Sequence, residues 1–235
     1  MKQKDQEQKN GYARLGWIKM TYDWDWNGAD DNYKQALRIE PGNAAIIQSA
    51  SVLAAVLGRL DEAIELSKQA VELNPLLSTP NYNLGLYYYY TNEWEKAVTA
   101  VRKALELNPQ YPVAHSLLGR IYLAESKPKE ALTEMQRETG IAWRKFGLAL
   151  AYCALGWKKE EDTALKEFIG QYQFDSAYQI AEIYAFRGDT DNAFYWLERA
   201  YQQKDGGLGD MKGDPLLDKI EHDPRYAVFM KKMNL

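Results

Sequence analysis

A repeat of fixed length constrains this chain more than any other feature. The phrases Ala36-Leu37-Arg38-Ile39-Glu40-Pro41, Ala70-Val71-Glu72-Leu73-Asn74-Pro75 and Ala104-Leu105-Glu106-Leu107-Asn108-Pro109 end on prolines 34 residues apart (75 − 41 and 109 − 75). Such a period means one supersecondary unit copied along the chain, each copy burying its apolar face against the next. Small residues return at matching places, Ala29 and Ala36, Ala63 and Ala70, Ala97 and Ala104. They mark positions where two helices approach closely.

Within a unit the spacing predicts two amphipathic helices. Asn81, Leu84, Gly85 and Tyr88 fall at i, i+3, i+4 and i+7, and Trp94, Ala97, Val101 and Ala104 form a second face after the Asn92-Glu93 turn. This second helix stops near Asn108, because the residue before a proline is pushed out of the helical region. No segment alternates as a strand does. In the tail, Asp214-Pro215 and Asp223-Pro224 each put a capping carboxylate ahead of a proline, the preferred opening of a helix. The second is expected to open a helix with Tyr226, Phe229, Met230 and Met233 on its apolar side and Lys231 and Lys232 facing out.

The pattern resembles the tetratricopeptide repeat (TPR) family, W-x2-L-G-x2-Y, then A-x3-F, then P. Leu84-Gly85 with Tyr88, Leu118-Gly119 with Tyr122, Leu148-Ala149 with Tyr152 and Ile180-Ala181 with Tyr184 fill the L-G-x2-Y slots, and the match runs from about residue 12 to 205. The resemblance implies an all-α, right-handed superhelix of about six helix pairs. Its units fall near residues 11–43, 44–77, 78–111, 112–141, 142–173 and 174–205, after a polar N-terminus (1–10) and before a C-terminal linker and capping helix (206–235) that covers the open end. The fourth unit lacks its proline, and Tyr122 to Tyr152 spans only 30 residues, so its second helix is expected about one turn short. In the first unit Leu15-Gly16 takes the L-G slot, with the turn to Ala29 one residue long. The segments Tyr22-Asp23-Trp24-Asp25-Trp26 and Asp223-Pro224-Arg225-Tyr226 resemble TPR regions at the C-terminal end of bacterial multidomain regulators, beside cyclase, winged-helix or kinase modules.

Composition narrows the function. Lys+Arg number 29 against 33 Asp+Glu, which leaves no basic surplus for phosphates or an anionic membrane. With Cys153 the lone cysteine and a polar start without an apolar run, a cytoplasmic chain is expected. His115 and His222 stand outside any metal-ligand spacing, and no Ser, His and Asp arrangement or phosphate-binding glycine loop is present. Neither enzyme activity, a cofactor nor a metal is expected. Asp23-x-Asp25-x-Asn27-Gly28 imitates half a calcium loop, but Lys34 stands where the bidentate acid belongs and Asp30 at the aliphatic place. It reads as a capped turn.

TPR helices stack so that the first of each pair lines a concave surface. Its inward positions are three before, one after and four after the small residue. That selects Gln48, Val52 and Ala55; Tyr82, Leu86 and Tyr89; Ser116, Arg120 and Leu123; Phe146, Leu150 and Cys153; and Tyr178, Glu182 and Ala185. Tyr82, Asn83, Leu86, Tyr89, Ser116, Arg120, Phe146, Tyr178 and Glu182 are the candidate partner-binding residues, taking an apolar or aromatic segment of a protein or peptide with Arg120 as polar anchor. Asn83 and Arg120 alone offer counterparts to the cationic clamp with which some TPR domains hold chaperone tails. Two alternatives stay open: the inner rings pack on neighbouring helices or on the terminal segment, or the groove senses a small ligand.

Overall fold

The structure, a computed structural model, describes residues 11–235. It is helical throughout, with no strand among the described residues. Six antiparallel pairs follow in order: α1 (residues 11–18) with α2 (Trp26–Ile39), α3 (Ala44–Val56) with α4 (Leu60–Leu73), and α5 (Ser78–Tyr90) with α6 (Trp94–Leu107). Then come α7 (Ala114–Ala124) with α8 (Pro128–Arg137), α9 (Ile141–Leu155) with α10 (Lys158–Tyr172), and α11 (Ala177–Arg187) with α12 (Thr190–Gln203). Two short 3₁₀ turns, Gly206–Asp210 and Pro215–Leu217, lead to α13 (Pro224–Lys232).

The recurring small residues are the contact points of the pairs. Ala29, Ala36, Ala63, Ala70, Ala97 and Ala104 are all 0% exposed. A side chain on Gly85 would run into Val101 and the Ala97 carbonyl, so α5 and α6 approach at a distance only a small residue allows. Ala97→Leu is therefore expected to lower stability by about 1–3 kcal/mol through overpacking, read as a drop in melting temperature. An unchanged melting temperature would mean that this contact is not close-packed.

Both irregular units have local causes. The extra residue of the first turn is taken up by a π-helical turn, Lys19–Asp23, which ends on Trp24 in left-handed conformation. Asp25 then caps α2 by accepting from the Gly28 N–H at 2.9 Å and from Lys19 Nζ at 2.8 Å, so the calcium-like segment works as a capped turn. In the fourth unit α8 has 10 residues where α4 and α6 have 14, one turn fewer. The chain after it turns back so that the buried Glu138 carboxylate accepts from the N–H groups of Val113, Ser116 and Gly140. Glu138 thereby caps α7 from the end of the neighbouring helix and holds Val113, a β-branched residue, at φ 69°.

The tail does more than cover the end of the last pair. Beyond α12 it passes into the concave face and crosses to α3 before α13 returns to α12. Phe229 of α13 meets Tyr201 of α12, and the carbonyl of Met233 accepts from Trp26 Nε1 of α2 at 2.8 Å. Trp24 packs on Tyr201 at 5.3 Å and on Trp26 at 6.5 Å, with Lys204 Nζ over its ring. The first pair thus touches both the last pair and the terminal helix, and the superhelix closes on itself.

Candidate functional site

The concave wall is built from the first helices α3, α5, α7, α9 and α11. Because their inward residues repeat once per unit, aromatic and polar side chains from distant parts of the sequence converge there. The space they enclose is filled by residues 205–220. Leu208, Met211, Leu216, Leu217 and Ile220 are buried, four of them at 0% exposure.

The tail enters where Asp205 accepts from the Tyr178 N–H at the start of α11 and from Gly207 N–H. It needs glycine where it runs closest to the wall: a side chain on Gly207 would meet the Tyr178 ring at 2.6 Å, and one on Gly213 the Tyr90 ring at 2.8 Å. Lys212 Nζ reaches the Leu57 carbonyl at the end of α3. At the centre lies Asp214, 2% exposed, which accepts from Arg120 Nη2 at 3.3 Å, from the Tyr178 hydroxyl at 3.2 Å and from the Leu216 N–H at 3.1 Å. Arg120 also lies over the Tyr89 ring at 4.9 Å. Pro215 starts the turn that drops Leu216 and Leu217 into the wall.

Acid is in surplus here. Asp210, Asp214 and Glu182 face one guanidinium. Burial, then the neighbouring Asp214, pushes the Asp210 carboxyl up to about 6. The same two causes push Glu182, 1% exposed, well above the usual carboxylate range. Burial opposes the charge of Arg120, but Asp214, Tyr89 and Glu182 outweigh it and keep the guanidinium charged. Burial raises Tyr82, Tyr89, Tyr90 and Tyr178, so they stay neutral, and of the four the Tyr178 hydroxyl donates to Asp214.

Of the residues singled out from the sequence, Tyr82, Tyr89, Arg120, Phe146, Tyr178 and Glu182 come together around the tail. Tyr82 packs on Tyr111 at 5.2 Å, and Phe146 sits between Trp143 and Phe168. Asn83 is buried, Leu86 is half-buried, and Ser116 offers its backbone N–H to Glu138. What sequence reasoning missed is the other half of the site, Asp205, Asp210 and Asp214 of the tail. Two spaces flank the tail. One of about 420 Å³ is lined by Trp143, Phe146, Asp175, Gln179, Asp205 and Asp210. The other, of about 350 Å³, has Tyr89, Trp94, Arg120, Phe186, Leu216 and Lys219 in its wall. Elsewhere, His115 Nδ1 lies 2.7 Å from a Glu134 carboxylate oxygen, and burial pushes the Cys153 thiol up.

Stacked antiparallel pairs with 34-residue spacing around a concave wall define the class, an α-α solenoid. Family profiles then specify it: one described as "TPR repeat" matches residues 85–125 and one described as "Tetratricopeptide repeat" matches residues 50–75, and the chain is a tetratricopeptide-repeat protein. No curated protein matches the sequence. Among solved structures, a thermophilic TPR protein of Thermus thermophilus is similar at 17% identity and TM-score 0.64, over 82% of this chain and 99% of that one. PilW, a type IV pilus biogenesis factor, is similar at 18% identity and TM-score 0.63, over 90% and 97%. An O-GlcNAc transferase of Thermobaculum terrenum is similar at 24% identity and TM-score 0.52, over 56% of this chain and 25% of that one. At these identities the likeness is one of fold. No helix among the described residues is long and apolar enough to cross a membrane.

Proposed function

We propose that this protein is an interaction scaffold, without enzymatic activity of its own, whose concave face receives a peptide segment or helix of a protein partner. The observation that carries the reading is that this face already clasps a segment of 3₁₀ helix and turns, residues 205–217, through a buried carboxylate, backbone N–H groups and apolar side chains. A surface that holds its own chain in this way has the chemistry to hold another. The segments at residues 22–26 and 223–226 that resemble those of bacterial regulators, together with the single cysteine, support a regulatory module in the cytoplasm, with neither nucleic acid nor membrane as partner.

A photo-crosslinking amino acid placed at Leu86 or Leu123, on the concave helices, is expected to trap a partner protein in the source cell. The same group at Arg102, exposed on α6, is expected to trap none. Crosslinks from position 102 alone would move the binding face to the outer helices. A second reading, a module that senses a small ligand, is favoured by the aromatic space of about 420 Å³ beside Asp210. A melting shift produced by a small molecule without any peptide would select it.

A further inference from the structure

The tail specifies what the groove recognises. Its contacts follow an order: Leu208 and Met211 buried, then Asp214 held by Arg120 and Tyr178, then Pro215, then Leu216 and Leu217 buried. We infer that the concave face is selective for a turn-forming segment with a carboxylate followed by proline and two apolar residues, and that residues 205–220 are an intramolecular competitor for it. This inference rests on the scaffold reading and gives its partner a chemistry.

Three features favour a ligand-like tail over an ordinary part of the solenoid. Asp214 meets Arg120, a residue 94 positions earlier, so the carboxylate is read by a side chain of the wall rather than by its own repeat. Its reader is specific: the guanidinium is buried and charged, and the Tyr178 hydroxyl completes the cradle. The segment is a run of 3₁₀ helix and turns, Gly206–Asp210 and Pro215–Leu217, and not a further helix pair of the repeat. A partner segment of the same pattern would remake the contacts of Asp214, Leu216 and Leu217. It would compete against a tail whose tether gives an effective concentration on the order of millimolar, which keeps weak or mismatched segments out.

The test converts the tail into a separate ligand. A protease site inserted after Lys204, exposed at the end of α12, allows the full folded chain to be cut once. A fluorescent synthetic peptide spanning residues 205–235 is then offered to the cut protein. The expected result is a cut protein that keeps its helical signal and takes up the labelled peptide saturably, while the uncut protein takes up none. Peptides carrying Asp214→Ala, or Leu216→Ala with Leu217→Ala, are expected to bind at least about tenfold more weakly, the loss that one charged hydrogen bond or two buried side chains imply. Loss of the helical signal on cutting, or failure of the labelled peptide to exchange, would make the tail a core element and overturn the inference. So would equal binding by the Asp214→Ala peptide. Failure here is separable from failure of the scaffold reading. Partners crosslinked at Leu86 that lack an acid-Pro-apolar segment overturn the specificity alone, and peptide exchange without any concave crosslink overturns the scaffold alone.

Discussion

Arg120→Ala is expected to destabilise the protein by about 3–5 kcal/mol, the cost of leaving one partner of a buried ion pair uncompensated. The Arg120 side chain is 8% exposed and that of Asp214 0%, so bulk water is poorly placed to replace the lost donor. Asp214 would keep its bonds from Tyr178 and Leu216 but would sit beside Asp210 and Glu182 with no cation among them. The expected readout is a lower midpoint in chemical denaturation together with faster proteolysis of residues 205–235, because the tail is the element that Arg120 holds. Replacing both partners by apolar residues, Arg120→Met with Asp214→Leu, is expected to cost less than the sum of the single changes, since neither charge is then stranded. A fall of under about 1 kcal/mol for Arg120→Ala would show that the pair contributes nothing to holding the tail.

The parts of this architecture that were legible in the sequence are those written once per repeat. The prolines at 41, 75 and 109 and the alanines between them fixed the helix pairs, because the same close contact is made in each unit. The missing proline and the 30-residue step announced the short α8. The inward phase of Tyr82, Tyr89, Arg120, Tyr178 and Glu182 was readable too, since it depends only on helical geometry. Their burial was not. Leu208, Met211, Leu216, Leu217 and Ile220 follow neither a period of 2 nor one of 3.6, as their spacing answers to the shape of the groove. Asp214 carried a local signal, the cap before Pro215, and it does accept from the Leu216 N–H; its long-range bond to Arg120 has no local signature. Trp24 and Trp26 stood out only by resemblance, and their physical task, joining the first pair to Tyr201 and Met233, depends on closure of the whole superhelix. Glu138 gave no signal because two of its three N–H donors, those of Val113 and Ser116, become neighbours only when α7 and α8 pair.

The surplus of buried acid sets a pH dependence whose sign can be worked out. Burial and Asp214 push Asp210 up to about 6 in the folded protein, above its ordinary value near 3.9, and the same two causes raise Glu182 well above the usual carboxylate range. A carboxyl with a raised folded value binds protons more tightly when folded than when unfolded, so its contribution to stability is present below the unfolded value and is lost as pH rises through the folded one. Stability is therefore expected to fall between about pH 4 and pH 6 on account of Asp210, by roughly 2–3 kcal/mol, with Glu182 acting in the same sense. Carboxyls lowered by their partners, such as Asp223 beside Arg225, act in the opposite sense but below about pH 4, outside this window. Glu182→Gln keeps the shape and removes the titration. It is expected to raise the melting temperature at pH 8 by more than at pH 5, and so to reduce the fall between them, while leaving the Asp210 step near 6. The tail should follow the same curve, with residues 205–220 more open to proteolysis at pH 8 than at pH 5 in the parent chain and less so in Glu182→Gln. A parent profile that rises from pH 5 to pH 8 would mean that these acids are compensated by a charge other than Arg120.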